Sequence, residues 1–181
     1  MRWPPVCSSN FSQEYPVTNP NPLPPLEFLR ETFVYNSNTG KLSWRIPGRG
    51  REQEKVGCVC PDGYAKVNLN YKPYLLHRLI WKIATGNDPL SEIDHINGVR
   101  SDNRICNLRE ATTAQNKWNA SRKGKGSNPL RGVRKSSSRW IAQIACNGKK
   151  IYIGTFDTAE LAHNAYWVKA QELHGEFAKR E

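Results

Sequence analysis

Turn-forming residues cut this chain into short segments, and this feature restricts its fold more than any other. The residue types that turns prefer occur at residues 36–40, at Pro61-Asp62-Gly63, at Asn97-Gly98 and at Asn147-Gly148. The stretches between them have room for short strands or for helices of a few turns. The sequence therefore predicts an α+β protein built from small sheets and short helices.

The first 25 residues differ from the rest in composition. They contain seven prolines among Asn and Ser, a composition that opposes both helices and sheet ladders. We expect residues 1–25 to form a flexible leader. Since they lack the apolar core of a signal peptide, and no apolar run approaches the ~20 residues of a membrane span, we expect a soluble intracellular protein.

Residues 26–120 alternate between helical and strand patterns. Thr112 and Gln115 have the spacing of a capping box, which predicts a helix that begins at Thr112. The predicted elements before it are a helix from residue 26 that includes Phe33 and Val34, strands at 41–46, 55–60, 64–68 and 71–75, a helix at 76–84, and strands at 91–95 and 107–109. The strands at 91–95 and 107–109, with the loop between them and the helix from Thr112, form a strand, loop, strand, helix unit.

A second, smaller pattern follows a basic linker at residues 121–129. Strands are predicted at 132–135, 140–146 and 151–155, and a helix is predicted to begin at Asp157, with Glu160 completing its capping pattern. The apolar face predicted for that helix consists of Leu161, Ala162, Ala165, Val168, Ala170 and Leu173. We therefore expect a leader at 1–25, a domain at 26–120, a linker at 121–129 and a three-stranded antiparallel sheet packed on one helix at 130–181.

The charge of the chain is strongly positive and unevenly distributed. Lys and Arg number 27 against 16 Asp and Glu, a formal net charge of +11, and no acidic residue lies between Glu110 and Asp157. Such a block of positive charge favours a polyanionic partner, either nucleic acid or an acidic membrane surface.

The five cysteines do not indicate a disulfide framework. They are odd in number and scattered, which is typical of free thiols in a reducing compartment. Cys58 and Cys60 could form half of a zinc site, but the chain has no second closely spaced pair to complete four ligands. We therefore expect no zinc.

Asp94 and His95 are the strongest candidates for chemistry. Hydrolysis of a phosphodiester needs an activated water and a cation that takes up negative charge. The ordinary pKa of a histidine lies near neutrality, so His95 can act as a base, and the carboxylate of Asp94 is a hard ligand suited to Mg²⁺. Their side chains point in opposite directions in an ideal strand, so the strand must end there.

The residues around this pair resemble the HNH homing endonucleases of phages over about residues 26–120. From His95, Asn107 lies twelve residues on and Asn116 a further nine. The motifs are Thr39-Gly40-Lys41-Leu42-Ser43-Trp44, Leu76-His77-Arg78-Leu79-Ile80-Trp81, Ile93-Asp94-His95-Ile96-Asn97-Gly98, Asp102-Asn103-Arg104, Asn107-Leu108-Arg109, Asn116 and Asn119.

The resemblance implies a role for each residue of this set. His95 would be the general base, and Asp94 and Asn116 would hold one divalent cation, Mg²⁺ or alternatively Mn²⁺. Asn107 would orient the His95 ring through its side-chain carbonyl. Residues of second rank, for loop bracing, substrate contact or packing, are His77, Asn103, Arg104 and Asn119.

Residues 129–178 resemble the plant ethylene-response-factor (Apetala-type) DNA-binding domain. Alternation puts Trp140, Ala142, Ile144, Ile151 and Ile153 on an apolar face and leaves a basic, amide-rich face open. The motifs are Arg131-Gly132-Val133-Arg134, Trp140-Ile141-Ala142-Gln143-Ile144, Gly154-Thr155-Phe156-Asp157-Thr158, Ala159-Glu160, Ala165-Tyr166 and His174-Gly175. The expected DNA-binding residues, with two from the linker, are Arg131, Arg134, Arg139, Gln143, Lys150, Tyr152, Lys123 and Lys125.

Together these resemblances imply a homing-type endonuclease that cuts double-stranded DNA, in the bacterial host cytoplasm if a phage encodes it. A monomer with one such centre would nick a single strand, although the oligomeric state stays open. The alternative is a sequence-specific DNA-binding regulator with an inactive HNH scaffold. RNA binding is less favoured because neither part suggests aromatic platforms for single-stranded bases.

Overall fold

The computed structural model describes residues 22–48, 52–120, 130–146 and 148–179. These ranges contain four α-helices and ten strands in small antiparallel sheets, which confirms the α+β prediction. Most of the predicted leader and the whole predicted linker, with Lys123 and Lys125, lie outside the described residues, as does Asn147. No helix in the described ranges is long and apolar enough to cross a membrane.

The chain begins with helix α1 (Leu26–Thr32) and a hairpin of strands β1 (Phe33–Asn36) and β2 (Lys41–Trp44). The sequence prediction placed Phe33 and Val34 in the helix, and this is wrong. Phe33 is buried and Val34 is exposed, the alternation of a strand, because Phe33 packs in the core beside Trp44.

A three-stranded sheet and a buried helix follow the hairpin. The sheet has the order β3 (Cys58–Val59), β4 (Ala65–Leu69) and β5 (Lys72–Leu75), and β3 is shorter than the strand predicted at 55–60. Helix α2 (Leu76–Thr85) ends at Gly86, whose φ of 82° is the left-handed conformation that favours glycine at this position. This agrees with the predicted helix end.

The predicted strand, loop, strand, helix unit is present. Strands β6 (Glu92–His95) and β7 (Leu108–Ala111) pair antiparallel, a 3₁₀ turn at Ile105–Asn107 precedes β7, and helix α3 (Thr113–Asn119) follows. Thr112 and Gln115 form the predicted capping box. These elements share one core with the preceding ones, and we call residues 22–120 the N-terminal unit.

Residues 130–179, the C-terminal unit, have a separate core. Their sheet has the order β8 (Val133–Ser136), β9 (Arg139–Cys146) and β10 (Lys149–Phe156). Helix α4 (Ala159–His174) covers one face of the sheet, and a 3₁₀ turn at Gly175–Phe177 ends the unit. Ala142 and Ile144 of β9 are buried beneath the helix, as the alternation predicted.

Two predictions for α4 are wrong. Its N-cap is Thr158, not Asp157, because the Thr158 side chain accepts a hydrogen bond from the amide of Leu161. Leu161 and Val168 are exposed, although they were expected on the apolar face. The buried positions of the helix are Ala162, His163, Tyr166, Ala170 and His174. The Tyr166 ring lies so close to Gly132 that a Cβ at Gly132 would collide with it, and this packing orients the helix.

Candidate active site

Asp94 and His95 lie at the end of β6 and are both buried, at 5% and 3% exposed. They line one cavity of about 480 Å³ together with Asn116 and Asn119 of α3. Strand β6 ends at His95, and the amide of Gly98 bonds the His95 carbonyl oxygen at 2.8 Å. This turn lets both side chains line the same cavity, which an ideal strand would not allow.

The carboxylate of Asp94 is held from two sides. Its Oδ2 accepts hydrogen bonds from Nε and Nη2 of Arg109 at 3.0 and 2.9 Å, across the β6–β7 pair. Nδ2 of Asn119 donates to Oδ1 and Oδ2 of Asp94 at 3.0 and 2.9 Å and to the His95 carbonyl at 2.7 Å. Asn119, a residue of second rank in the sequence prediction, is therefore in direct contact with both members of the pair.

Asn116 lines the same cavity but is anchored elsewhere. Its Nδ2 donates to Oε2 of Glu92 at 2.7 Å, so its amide oxygen faces away from that carboxylate. Oε1 of Glu92 also accepts from the hydroxyl of Thr113 at 2.8 Å. The hydrogen bond to Glu92 thus restrains the Asn116 side chain at the wall of the cavity.

The ring of His95 is oriented by Asn103. His95 Nε2 lies 2.9 Å from Oδ1 of Asn103, and both residues are buried. Because an amide oxygen only accepts hydrogen bonds, Nε2 carries the proton and Nδ1 keeps a free lone pair. Nδ1 of His95 is therefore able to accept a proton.

Asn107 does not make the contact with the His95 ring that was predicted for it. Its Oδ1 accepts from the amide of Asn97 at 3.0 Å, and its Nδ2 donates to Oδ1 of Asn97 and to the carbonyl of Asp102 at 3.0 and 2.8 Å. The side chain is fully used in closing the loop between β6 and β7. Asn107 braces this loop, and Asn103 on the loop makes the contact that was assigned to Asn107.

The β1–β2 hairpin holds Asn103 in place. The hydroxyl of Tyr35 donates to the carbonyl of Asn103 at 3.2 Å and accepts from the amide of Ile105 at 2.9 Å. Gly40 has a φ of 71°, and a Cβ there would lie 2.5 Å from the backbone nitrogen of Arg104. The turn therefore needs glycine both for its conformation and for this close approach.

Burial controls the charge of the two histidines at the site. It lowers the pKa of His95 below its ordinary value, and the positive charge of Arg100 acts in the same direction, while Asn103 and Asp94 oppose the shift. Burial, with the neighbouring His95 and Arg78, lowers the pKa of His77 to about 3. Both rings, whose centroids lie 5.3 Å apart, are neutral near pH 7.

Arg100 is a candidate that the sequence prediction missed. Its guanidinium lies 4.5 Å from the centroid of the Tyr64 ring, donates to the carbonyl of Asp62, and lines the site cavity. Arg104, which was predicted, is instead exposed and paired with Asp102 at 2.6 Å. This pairing lowers the pKa of Asp102 to about 2. No spacing along the loop distinguishes the two arginines, because only the fold shows which one faces the cavity.

Comparison with known proteins identifies the family. A family model described as HNH endonuclease matches residues 74–117. The chain is 31% identical to Protein 3.8 of Escherichia phage T7 over 112 residues, which cover 60% of this chain and 92% of that protein. It is 38% identical over 106 residues to an uncharacterised HNH endonuclease of Acanthamoeba polyphaga mimivirus. The chain belongs to the HNH endonuclease family.

The matches cover the candidate active site but only part of the chain. The HNH segment, residues 74–117, contains Asp94, His95, Asn107 and Asn116 and ends two residues before Asn119. The match to the mimivirus HNH endonuclease covers 57% of this chain, and the chain spans about half of that relative, 54% of its length. Nucleases of this family are generally dependent on a divalent metal ion, and the nuclease domain implies DNA as the substrate.

The donors around the HNH cavity fit a hard cation. No group of three or more His, Cys, Asp and Glu side chains in the described ranges is arranged to hold a metal ion. A cation at this site would therefore depend on the Asp94 carboxylate, amide oxygens and water, the ligand set that Mg²⁺ prefers. Oδ2 of Asp94 is engaged by Arg109, whereas Oδ1 receives only Asn119 among the described residues and keeps capacity for a further ligand.

The candidate DNA-binding residues of the C-terminal unit differ in their surroundings. Arg134, Lys150 and Tyr152 are exposed, and Gln143 is half-buried and pairs with Tyr152 across β9 and β10. Arg139 lies 3.1 Å from Asp157 in an exposed ion pair.

Arg131 is placed differently from these five residues. Its guanidinium donates to the carbonyls of Ala120 and Lys117 at 3.2 and 3.3 Å, so it contacts the end of the HNH helix α3.

Proposed function

We propose that this chain is a metal-dependent, homing-type DNA endonuclease in which His95 activates the attacking water. One observation carries the proposal: Asp94, His95 and Asn116 line a single cavity, and Asn103 holds the His95 ring with Nδ1 free. An HNH match and an HNH relative support a nuclease in general.

In this mechanism His95 is the general base. Its neutral, buried ring accepts a proton from water at Nδ1 while the water oxygen forms a bond to phosphorus. The bond from phosphorus to the leaving oxygen breaks, and solvent protonates that oxygen. Asn103 contributes by keeping the proton on Nε2, so that Nδ1 stays available.

Asp94 and Asn116 are the residues proposed to hold one divalent cation, Mg²⁺ or alternatively Mn²⁺. When bound, such a cation takes up negative charge that develops on the phosphate and on the leaving oxygen. Asn119 and Arg109 keep the Asp94 carboxylate in place, and Glu92 keeps Asn116 in place.

Arg100 is proposed to contact the scissile phosphate. It is a guanidinium at the wall of the cavity, and its stacking on Tyr64 limits its movement. The positive charge would attract the DNA backbone to the cavity and would also keep the His95 ring neutral, because like charges oppose the protonation of His95.

The C-terminal unit is proposed to hold double-stranded DNA. Its exposed basic face carries Arg134, Lys150 and Tyr152, and Arg139 and Gln143 lie four residues apart on the middle strand β9. Polar and basic side chains on such a sheet can bond base edges in the major groove. Acting as a monomer, the protein would nick one strand.

A plasmid assay tests the nuclease. Supercoiled DNA is incubated with Mg²⁺ and with wild type, His95→Ala or the control Lys169→Ala, whose side chain pairs with Glu172 on the surface of α4. We expect wild type and the control to cut equally, His95→Ala to lose at least about a hundredfold in rate, and EDTA to stop cutting.

Each other outcome changes the assignment. Equal cutting by His95→Ala removes the proposed base, and cutting in EDTA removes the metal. If wild type binds the plasmid in a gel-shift assay and never cuts it, the chain is a DNA-binding regulator with an inactive HNH scaffold.

A further inference from the structure

The end of α4 and the turn after it pack against the N-terminal unit, behind Asp94. The His174 ring stacks on Trp118 of α3, with centroids 4.0 Å apart and an interplanar angle of 18°. The guanidinium of Arg109 lies 3.7 Å from the centroid of the Phe177 ring, and its Nη1 donates to the carbonyl of Glu176 at 3.0 Å. We call residues 174–177 the docking turn.

Arg109 connects this docking turn to the proposed metal ligand. The same guanidinium that faces Phe177 uses Nε and Nη2 to bond Oδ2 of Asp94. All three of its nitrogens are thus engaged, and its side chain is 12% exposed. Phe177 and His174 are each 7% exposed, whereas the Glu176 side chain is 76% exposed, so the contact is mostly buried and open to water along one edge.

We infer that Arg109 is a positioning residue for Asp94, and that the docking turn holds Arg109. The inference rests on the proposed function, since it gives Asp94 the role of a cation ligand. A carboxylate at the end of a strand can rotate about its side-chain bonds. Two hydrogen bonds on Oδ2 stop that rotation and leave Oδ1, on the other side of the group, with capacity for a cation.

The docking turn is needed because a guanidinium has rotational freedom of its own. Phe177 covers one face of Arg109, and the Glu176 carbonyl fixes the nitrogen that does not reach Asp94. Without these two contacts Arg109 would keep its charge and lose its orientation. The C-terminal unit therefore takes part in the chemistry of the N-terminal unit, in addition to any DNA that it binds.

The alternative is that Arg109 weakens cation binding at Asp94. The positive charge of Arg109 repels a divalent cation, and if repulsion outweighed orientation, loosening Arg109 would strengthen cation binding. Substitutions at Phe177 separate the two effects, because they leave the charge of Arg109 unchanged.

The experiment uses the full chain with Phe177→Ala and Phe177→Leu. Phe177→Leu keeps most of the apolar volume and removes only the aromatic face, so it guards against misfolding. Val168→Ala, an exposed truncation on helix α4, which precedes the docking turn, is the control. Mn²⁺ binding is measured by electron paramagnetic resonance, and water exchange of the Arg109 Nε–H group by ¹⁵N NMR.

We expect Phe177→Leu to weaken Mn²⁺ binding about two- to fivefold, the range of an exposed to half-buried cation–π contact, and Phe177→Ala to weaken it further. Exchange at the Arg109 Nε–H should accelerate in both. Val168→Ala should match wild type in both measurements, and DNA affinity should stay unchanged in all three variants.

Unchanged or tighter Mn²⁺ binding in the Phe177 variants overturns the positioning role, and unchanged Nε–H exchange overturns the link through the docking turn. The NMR measurement needs no nuclease activity. If wild type neither binds Mn²⁺ nor cuts DNA, the proposed function fails, and Nε–H exchange still decides whether Phe177 restrains the bond between Arg109 and Asp94.

Discussion

The candidate functional groups of the two units differ in their exposure. In the N-terminal unit Asp94, His95, Asn103 and Asn119 are all buried and hydrogen-bonded to one another. In the C-terminal unit the corresponding candidates, such as Arg134 and Lys150, are exposed. Chemistry at phosphorus requires fixed geometry, whereas a polyanion can be attracted by mobile surface charge. Substitutions of these buried candidates should therefore affect the rate of cutting, and substitutions of the exposed basic candidates should affect DNA affinity.

The largest effect is expected from Asn103→Ala. Loss of the acceptor on Nε2 lets the His95 ring turn and change tautomer, so kcat for plasmid cutting should fall about a hundredfold. DNA affinity in a gel-shift assay should not change. Asn103→Asp supplies an oxygen at the same place and should recover part of the rate. A loss of affinity without a loss of kcat would contradict the role.

Gly40→Ala should act on the same loop through stability. The positive φ and the clash with Arg104 predict a free energy of unfolding lower by about 2 kcal/mol, measured by urea denaturation. Ser37→Ala, at an exposed position of the same turn, is the matched control. Equal stability of Gly40→Ala and wild type would contradict the close approach of the turn to the backbone of Arg104.

In the C-terminal unit, the double variant Arg134→Ala with Lys150→Ala should weaken DNA binding about tenfold at 0.1 M salt. The dependence of the logarithm of affinity on the logarithm of salt concentration should become shallower by about 2, since two phosphate contacts are lost. The rate of cutting at saturating enzyme should stay the same. If affinity and slope both match wild type, the basic face of the sheet is not the DNA-binding surface.

The smallest effect concerns the pH dependence of stability. The pKa of His77 is lowered to about 3 in the folded protein, so below pH 6.5 the unfolded chain binds a proton that the folded protein does not. The contribution of His77 to the free energy of unfolding is therefore largest well above pH 6.5 and is lost as pH falls, by about 0.7 kcal/mol from pH 7 to 6. His77→Gln should remove this part of the slope in urea denaturation. The groups around His77 are His95, Arg78 and Tyr64, and an equal slope in His77→Gln would assign the dependence to His95 or to other titrating groups.

The sequence predicted correctly two helix ends that are decided by residues close together along the chain. The capping box at Thr112 and Gln115 and the helix end at Gly86 involve residues within one turn of each other, so the sequence contains the information. The pairing of His95 with Asn103 does not follow from spacing. It depends on Tyr35 and Gly40, which lie more than sixty residues before Asn103 along the chain and contact the loop from outside.

The same reason explains the orientation of α4 and the docking turn. The helix has apolar residues on more than one side, and contact with Gly132 selects the side that includes Tyr166. The sequence prediction placed residues 174–177 within the domain at 130–181 and gave them no partner outside it, because nothing near them in sequence indicates Trp118 or Arg109. Contacts between separate segments are set by the complete fold.

Arg109 also limits how this chain can be recombined. A different C-terminal unit joined after residue 120 would have to bring a flat ring to cover the guanidinium and a carbonyl to meet its third nitrogen. A fusion without them would leave Arg109 facing water and Asp94 with a looser neighbour. Exchange of the C-terminal unit is thus restricted by the few residues of the docking turn, whatever the rest of that unit binds.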